Sequence, residues 1–173
     1  MIDNKNDLVG APLALGSDHA GYRTKEAIKQ VLEAAGVEFE DFGTHSTESC
    51  DYPDFARAVA EAVSRGDYQR GILCCGSGIG VSMVANKVRG VRAAVCHDEN
   101  SAELSRLHND ANILCLGERT TPGDSIAGIV SRWLDTAFEG GRHQRRVDKF
   151  EHSRENEPGT EKYWKKSSKA LPG

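Results

Sequence analysis

The chain has 173 residues, with 22 Lys and Arg against 26 Asp and Glu, 38% hydrophobic and 28% charged, which reads as one soluble globular domain. A net charge of −4 leaves no basic surplus to neutralise phosphates, so the expected partners are small molecules rather than nucleic acid. The longest uncharged run, residues 71–86, is too short and too glycine-rich to span a bilayer, and residues 1–10 carry no apolar signal core, so no membrane partner and a cytoplasmic address are expected.

In chain order, residues 1–10 read as an N-terminal extension and a short apolar run at 12–16 as the first strand. Ala27, Ile28, Val31, Leu32 and Ala35 then share one face of a helix that stops at Gly36, a suitable residue just past a helix end. A second strand is expected at 37–42. Pro53 opens the next helix, in a position where its missing N–H costs nothing, and Gly66 closes it. Strands follow at 70–75, 91–96 and 112–117, separated by helices over about 81–88 and 99–107. After Pro122, the residues Ile126, Ile129, Val130, Trp133, Leu134 and Ala137 keep the spacing of an amphipathic helix. Residues 139–173 hold 9 basic and 6 acidic side chains against 13 and 20 before them, and few apolar ones beyond 151. That segment, 151–173, reads as a polar tail: a short helix with a flexible end. The domain proper is residues 11–150.

Strands alternating with helices imply an α/β fold, a single doubly wound domain with a five-stranded parallel sheet and helices on both faces. The expected strand order is 2-1-3-4-5, with ligands beyond the carboxyl ends of strands one and three. Polar and glycine-rich stretches fall at those ends: Ser17-Asp18-His19-Ala20-Gly21 after strand one, Cys75-Gly76-Ser77-Gly78-Ile79-Gly80 after strand three, and Gly117-Glu118-Arg119 after strand five.

The glycine loop offers backbone N–H groups where a strand turns into a helix, which suits an anionic oxygen. It matches neither the dinucleotide fingerprint, which needs glycine where Val81 stands, nor a Walker loop, nor the serine-hydrolase elbow. Cys75 stands at the strand end. A thiolate beside an oxyanion cradle can remove a proton alpha to a carbonyl while the cradle holds the enediolate, each preorganised donor contributing about 2.7–4 kcal/mol. The five cysteines, Cys50, Cys74, Cys75, Cys96 and Cys115, show no zinc-ligand spacing and are expected as free thiols, with no metal and no cofactor.

Those motifs, with Asp51-Tyr52-Pro53, Ala85-Asn86-Lys87, the run Ser105 through Asn112 and the run Gly140 through Arg146, together resemble type B ribose-5-phosphate isomerase. That family also includes galactose-6-phosphate isomerase subunits. The resemblance implies a metal-free aldose–ketose isomerase acting on ribose 5-phosphate, in a homodimer or homotetramer whose active sites lie between subunits. It implies Cys75 as base, Ser77 and the loop residues Gly76, Gly78, Ile79 and Gly80 around the enediolate, and His108 opening the sugar ring with help from Asp18. His19, Arg119, Arg142 and Arg146 would hold phosphate, Tyr52 would line the pocket, and Asn109 belongs to the same substrate-binding set. Six-carbon galactose or allose 6-phosphate is the alternative substrate.

Plainer roles compete. Cys75 could be strand core like Cys74, Cys96 and Cys115. Asp18 and His19 fit a helix cap, and His108 fits a helix C-terminus that favours a cation. Arg142, Arg145 and Arg146 could be a solvated patch, and His45, His97, His143 and His152 read as structural or solvated. A nucleotide- or flavin-binding module would fit the same scaffold, though aromatic residues at the strand ends are few. A non-catalytic subunit is disfavoured, because base and ring-opening His occur in one chain.

Overall fold

The computed structural model describes residues 12–152. The expected N-terminal extension and all but the start of the expected tail lie outside the described residues. Five parallel strands, β1 (Leu13–Ser17), β2 (Phe39–Asp41), β3 (Gly71–Cys75), β4 (Ala93–Val95) and β5 (Ile113–Gly117), alternate with helices α1 (Tyr22–Ala34), α2 (Tyr52–Arg65), α3 (Ile79–Ala85) and α4 (Glu99–Asn109). Helices α5 (Ile126–Asp135) and α6 (Arg142–His152) follow β5. The α/β class and the doubly wound architecture are as expected. Among the described residues no helix is long and apolar enough to cross a membrane.

Local chemistry sets the ends of these elements. Gly36 and Gly66 adopt φ of +68° and +80°, a backbone state a Cβ disfavours, and they end α1 and α2 where the sequence places the stops. The helix after Pro122 starts later than expected, because residues Gly123–Ser125 form a 3-10 turn, and Ala137 falls beyond its end. Helix α3 starts earlier, because the left-handed Gly78 (φ +76°) already turns the chain and Ile79 is helical.

The strand order is β2-β1-β3-β5-β4, which corrects the expected 2-1-3-4-5. Strand β5 is five residues, all buried, whereas β4 is three half-exposed residues. The more apolar strand takes the place beside β3 and the short one blunts the edge. Right-handed crossovers then send α4 to the face of α1 and α5, leaving α2 and α3 on the other.

Side-chain alternation divides the core accordingly. Leu13, Leu15, Ile72, Cys74, Leu114 and Leu116 pack with Ile28, Leu32, Ile129 and Trp133; Ala14, Leu73, Cys75, Ile113 and Cys115 pack with Val59, Ala60, Val81 and Ala85. Each fully buried Leu or Ile contributes about 1.5–3 kcal/mol over the exposed state. Cys74 and Cys75 therefore point to opposite faces, and Cys75 meets the side on which the glycine loop enters α3. All five cysteines are free thiols.

Candidate active site

Because β1, β3 and β5 are neighbours, the loops after them are pressed together at the carboxyl edge. A Cβ on Gly21 would lie 2.5 Å from the Cys74 carbonyl carbon and 2.6 Å from the Cys75 nitrogen, so only glycine lets the start of α1 reach the end of β3. That approach brings Asp18 and His19 to the Cys75 loop. Asp18 is buried, and its Oδ1 accepts from the N–H groups of Ala20 and Gly21, both at 3.0 Å. The capping role is real, and it leaves Oδ2 for another partner. His19 Nδ1 lies 3.1 Å from both the N–H and the carbonyl oxygen of Cys50, contacts that fix the ring on the loop before α2.

Cys75 is 5% exposed, and the Gly78 N–H donates to its Sγ at 3.1 Å, a hydrogen bond that negative charge on sulfur would strengthen. Ser77 Oγ accepts from the Ile79 N–H at 3.3 Å. The Tyr52 ring packs on Gly80, where a Cβ would come within 2.9 Å of it. Arg119 lies over Gly76, with a guanidinium nitrogen 3.2 Å from where a Cβ would stand.

The β5 loop is pinned there by the Glu118 N–H to the Cys75 carbonyl (2.9 Å) and the Arg119 N–H to the Gly76 carbonyl (3.0 Å). The Glu118 carboxylate also accepts from the N–H groups of Arg23 and Thr24 at 3.0 and 3.2 Å, tying this loop to the start of α1. Glu118 is a positioning residue that the sequence reading missed; its acidic side chain directly after the end of an apolar strand was the available signal.

The remaining candidates are elsewhere. His108 and Asn109 end α4, just before β5 begins, and so lie at the amino edge of the sheet. Arg142 and Arg146 are on α6, which packs against α4. From Gly71 beside Ile113 to Cys75 beside Gly117 the paired strands advance four residues, a rise of about 13 Å. Asn109 lines a cavity of about 440 Å³ at this edge, with Arg92 and Phe150.

His143, read from sequence as structural or solvated, is 3% exposed and stacks on His108 with ring centroids 4.3 Å apart and planes 6° from parallel. Arg142 Nε donates to His143 Nε2 at 3.1 Å. Burial, together with the neighbouring His108 and Arg142 charges, pushes His143 below the usual imidazole value, against the opposing pull of Glu139.

A doubly wound sheet with a hydrogen-bonded thiol in an amide-lined loop, and a separate His and Arg group, is the arrangement of a sugar-phosphate isomerase. The model of the family described as Ribose/Galactose Isomerase matches residues 13–150, and the chain belongs to that family. It is 48% identical over 136 residues to ribose-5-phosphate isomerase B of Escherichia coli strain K12, covering 79% of this chain and 91% of that protein. The structure of ribose-5-phosphate isomerase B from Clostridium thermocellum matches with a TM-score of 0.82 at 51% identity, over 83% of this chain and 97% of the other. The Mycoplasma genitalium ribose-5-phosphate isomerase B, solved with bound ribulose 5-phosphate, matches with a TM-score of 0.80 at 41% identity, over 84% and 97%.

Proposed function

We propose that this isomerase interconverts ribose 5-phosphate and ribulose 5-phosphate through an enediolate, in a site built from two copies of the chain. His108 of one copy gives a proton to the ring oxygen while Asp18 Oδ2 of the other takes one from the anomeric hydroxyl, exposing the aldehyde. Cys75 then removes the C2 hydrogen as a proton, and the amide groups of the 76–80 loop with Ser77 stabilise the charge that develops on oxygen. Return of the proton to C1, with a proton moving between O2 and O1, completes the ketose. Arg119, Arg142 and Arg146 supply cations for the phosphate, His19 a further polar contact to it, and Tyr52 walls the sugar. The free thiols support a reducing compartment, the cytoplasm, as the enzyme's address.

The observation that carries this reading is the geometry at Cys75: a nearly buried thiol at a strand end, with an amide donor at 3.1 Å and the Arg119 guanidinium over the adjacent Gly76. The test is wash-in of solvent deuterium at C2 of ribose 5-phosphate. Cys75→Ala should lower exchange by about 10²–10⁴-fold, the usual range for a lost general base, while binding of a non-reacting sugar phosphate persists. Retention of most of the exchange rate would overturn the assignment of the base.

A further inference from the structure

His108, Glu139 and His143 bring two imidazoles and a carboxylate together, with ligand atoms all within 4.8 Å of one another. Among the described residues this is the one such group of His, Cys, Asp and Glu side chains. His143 Nε2 is 3.5 Å and His108 Nε2 3.9 Å from Glu139 Oε2. In a tetrahedral zinc site, bonds of about 2.0–2.2 Å put ligand atoms roughly 3.3–3.5 Å apart. The His143–Glu139 edge already has that length, and the His108–Glu139 edge is half an ångström or so longer.

Each ligand is held by a different means. His143 is buried on α6, and its Nε2 accepts from Arg142, so that nitrogen presents its lone pair rather than a proton. The Glu139 N–H donates to the Leu107 carbonyl at 3.1 Å, which anchors Glu139 beside His108. The side chain itself is exposed, and the two left-handed glycines that follow, Gly140 and Gly141, let the chain adjust. The imidazole planes are parallel, so a shared ion requires one ring to rotate; His108, 37% exposed in the single chain, is freer to turn there than buried His143.

We propose that His108, Glu139 and His143 form an inhibitory site for a borderline divalent ion, Zn²⁺ or Co²⁺, with a water completing the tetrahedron. Two imidazoles and one carboxylate select such ions over Mg²⁺ or Ca²⁺, which prefer all-oxygen shells. The ion displaces the Arg142 guanidinium from His143 and occupies the nitrogen that His108 would turn to the sugar. This inhibitory consequence rests on the proposed ring-opening role of His108; ion binding does not.

Cobalt titration of the full chain reads the site directly. In a Cys50→Ser background, which removes the most accessible of the thiols, one Co²⁺ per chain should give the visible absorption of a tetrahedral complex. Zn²⁺ should displace it and Mg²⁺ should not. Glu139→Gln, at an exposed position, should weaken binding at least about tenfold, as should His143→Ala, while His45→Ala, which removes an exposed histidine outside the group, should leave it unchanged. Absence of the tetrahedral spectrum, or equal affinity in Glu139→Gln and the parent, would overturn the site.

Isomerase rates then test the inhibition, each variant being compared with its own metal-free rate. Zn²⁺ should slow the parent at concentrations that leave Glu139→Gln unaffected, and a chelator should restore the rate. Equal inhibition of both would overturn the inhibitory role. A chain that binds Co²⁺ as expected but shows no isomerase activity without metal would count against the proposed function and leave the ion site standing.

Discussion

Mixing the Cys75→Ala and His108→Ala variants gives the most direct test of the proposed shared site. The His108 position precedes β5 and Cys75 ends β3, with a strand rise of about 13 Å between the two edges. Neither side chain can close that gap within one sheet, so one sugar phosphate cannot touch both in one chain. Cys75→Ala and His108→Ala should each lose about 10²–10⁴-fold in activity on ribose 5-phosphate. In a two-fold dimer with random assortment, about half of the mixed molecules are heterodimers, and each has one site with Cys75 and His108 both intact. Co-refolded or coexpressed protein should therefore recover about a quarter of the parent rate, far above either variant alone. Subunit exchange is verified independently with differently tagged chains and native mass spectrometry. A mixture that stays inactive although heterodimers are present would refute the shared site.

Two further predictions concern the scaffold. Asp41 accepts from Lys25 and Lys29 and from the Gly43 N–H; burial raises its pKa, but these hydrogen bonds outweigh it and hold the carboxyl below the usual value. A carboxyl depressed in the folded state adds stability that is present above its unfolded value of about 3.9 and is lost as pH falls through the folded value. Asp41→Asn should flatten that acid-side loss and, by leaving the fully buried Lys25 without its closest carboxylate, lower stability at neutral pH by about 3–5 kcal/mol in urea unfolding. An unchanged midpoint at neutral pH would contradict it. Gly21→Ala should push its Cβ against the Cys74–Cys75 backbone, costing about 1–3 kcal/mol and lowering kcat by displacing Asp18 and Cys75; parental stability and kcat together would show that the approach is looser than the distances imply.

The alternation of elements was legible because buried parallel strands read as short apolar runs, and Gly36 and Gly66 mark helix ends by backbone chemistry alone. The environment of His143 was not. In sequence it stands between Arg142 and Gln144 in a basic stretch, and such stretches are ordinarily solvated; its burial arises from α6 folding back on α4, a contact more than thirty residues apart that local pattern does not carry. The gathering of Asp18, Cys75 and Arg119 at one edge was legible as strand-end positions, but the approach of Arg119 to the Cys75 loop depends on a single topological fact.

That fact is the insertion of β5 beside β3. The runs at 91–96 and 112–117 look alike in hydrophobicity, and the choice between inner and edge position is made by how much of each run the sheet can use: three half-exposed residues in β4 against five buried ones in β5. Had β4 separated them, β5 would stand one strand spacing, about 4.8 Å, further from β3. The bonds from Glu118 and Arg119 to the Cys75 and Gly76 carbonyls could not form, and the guanidinium over Gly76 would be lost. Helix α4 returns the chain to the amino edge in either strand order, so His108 stands at the edge opposite Cys75. The insertion thus brings Arg119 to the Cys75 loop while the return through α4 keeps His108 at the far edge, and in the proposed mechanism it is this separation that calls for a second copy of the chain.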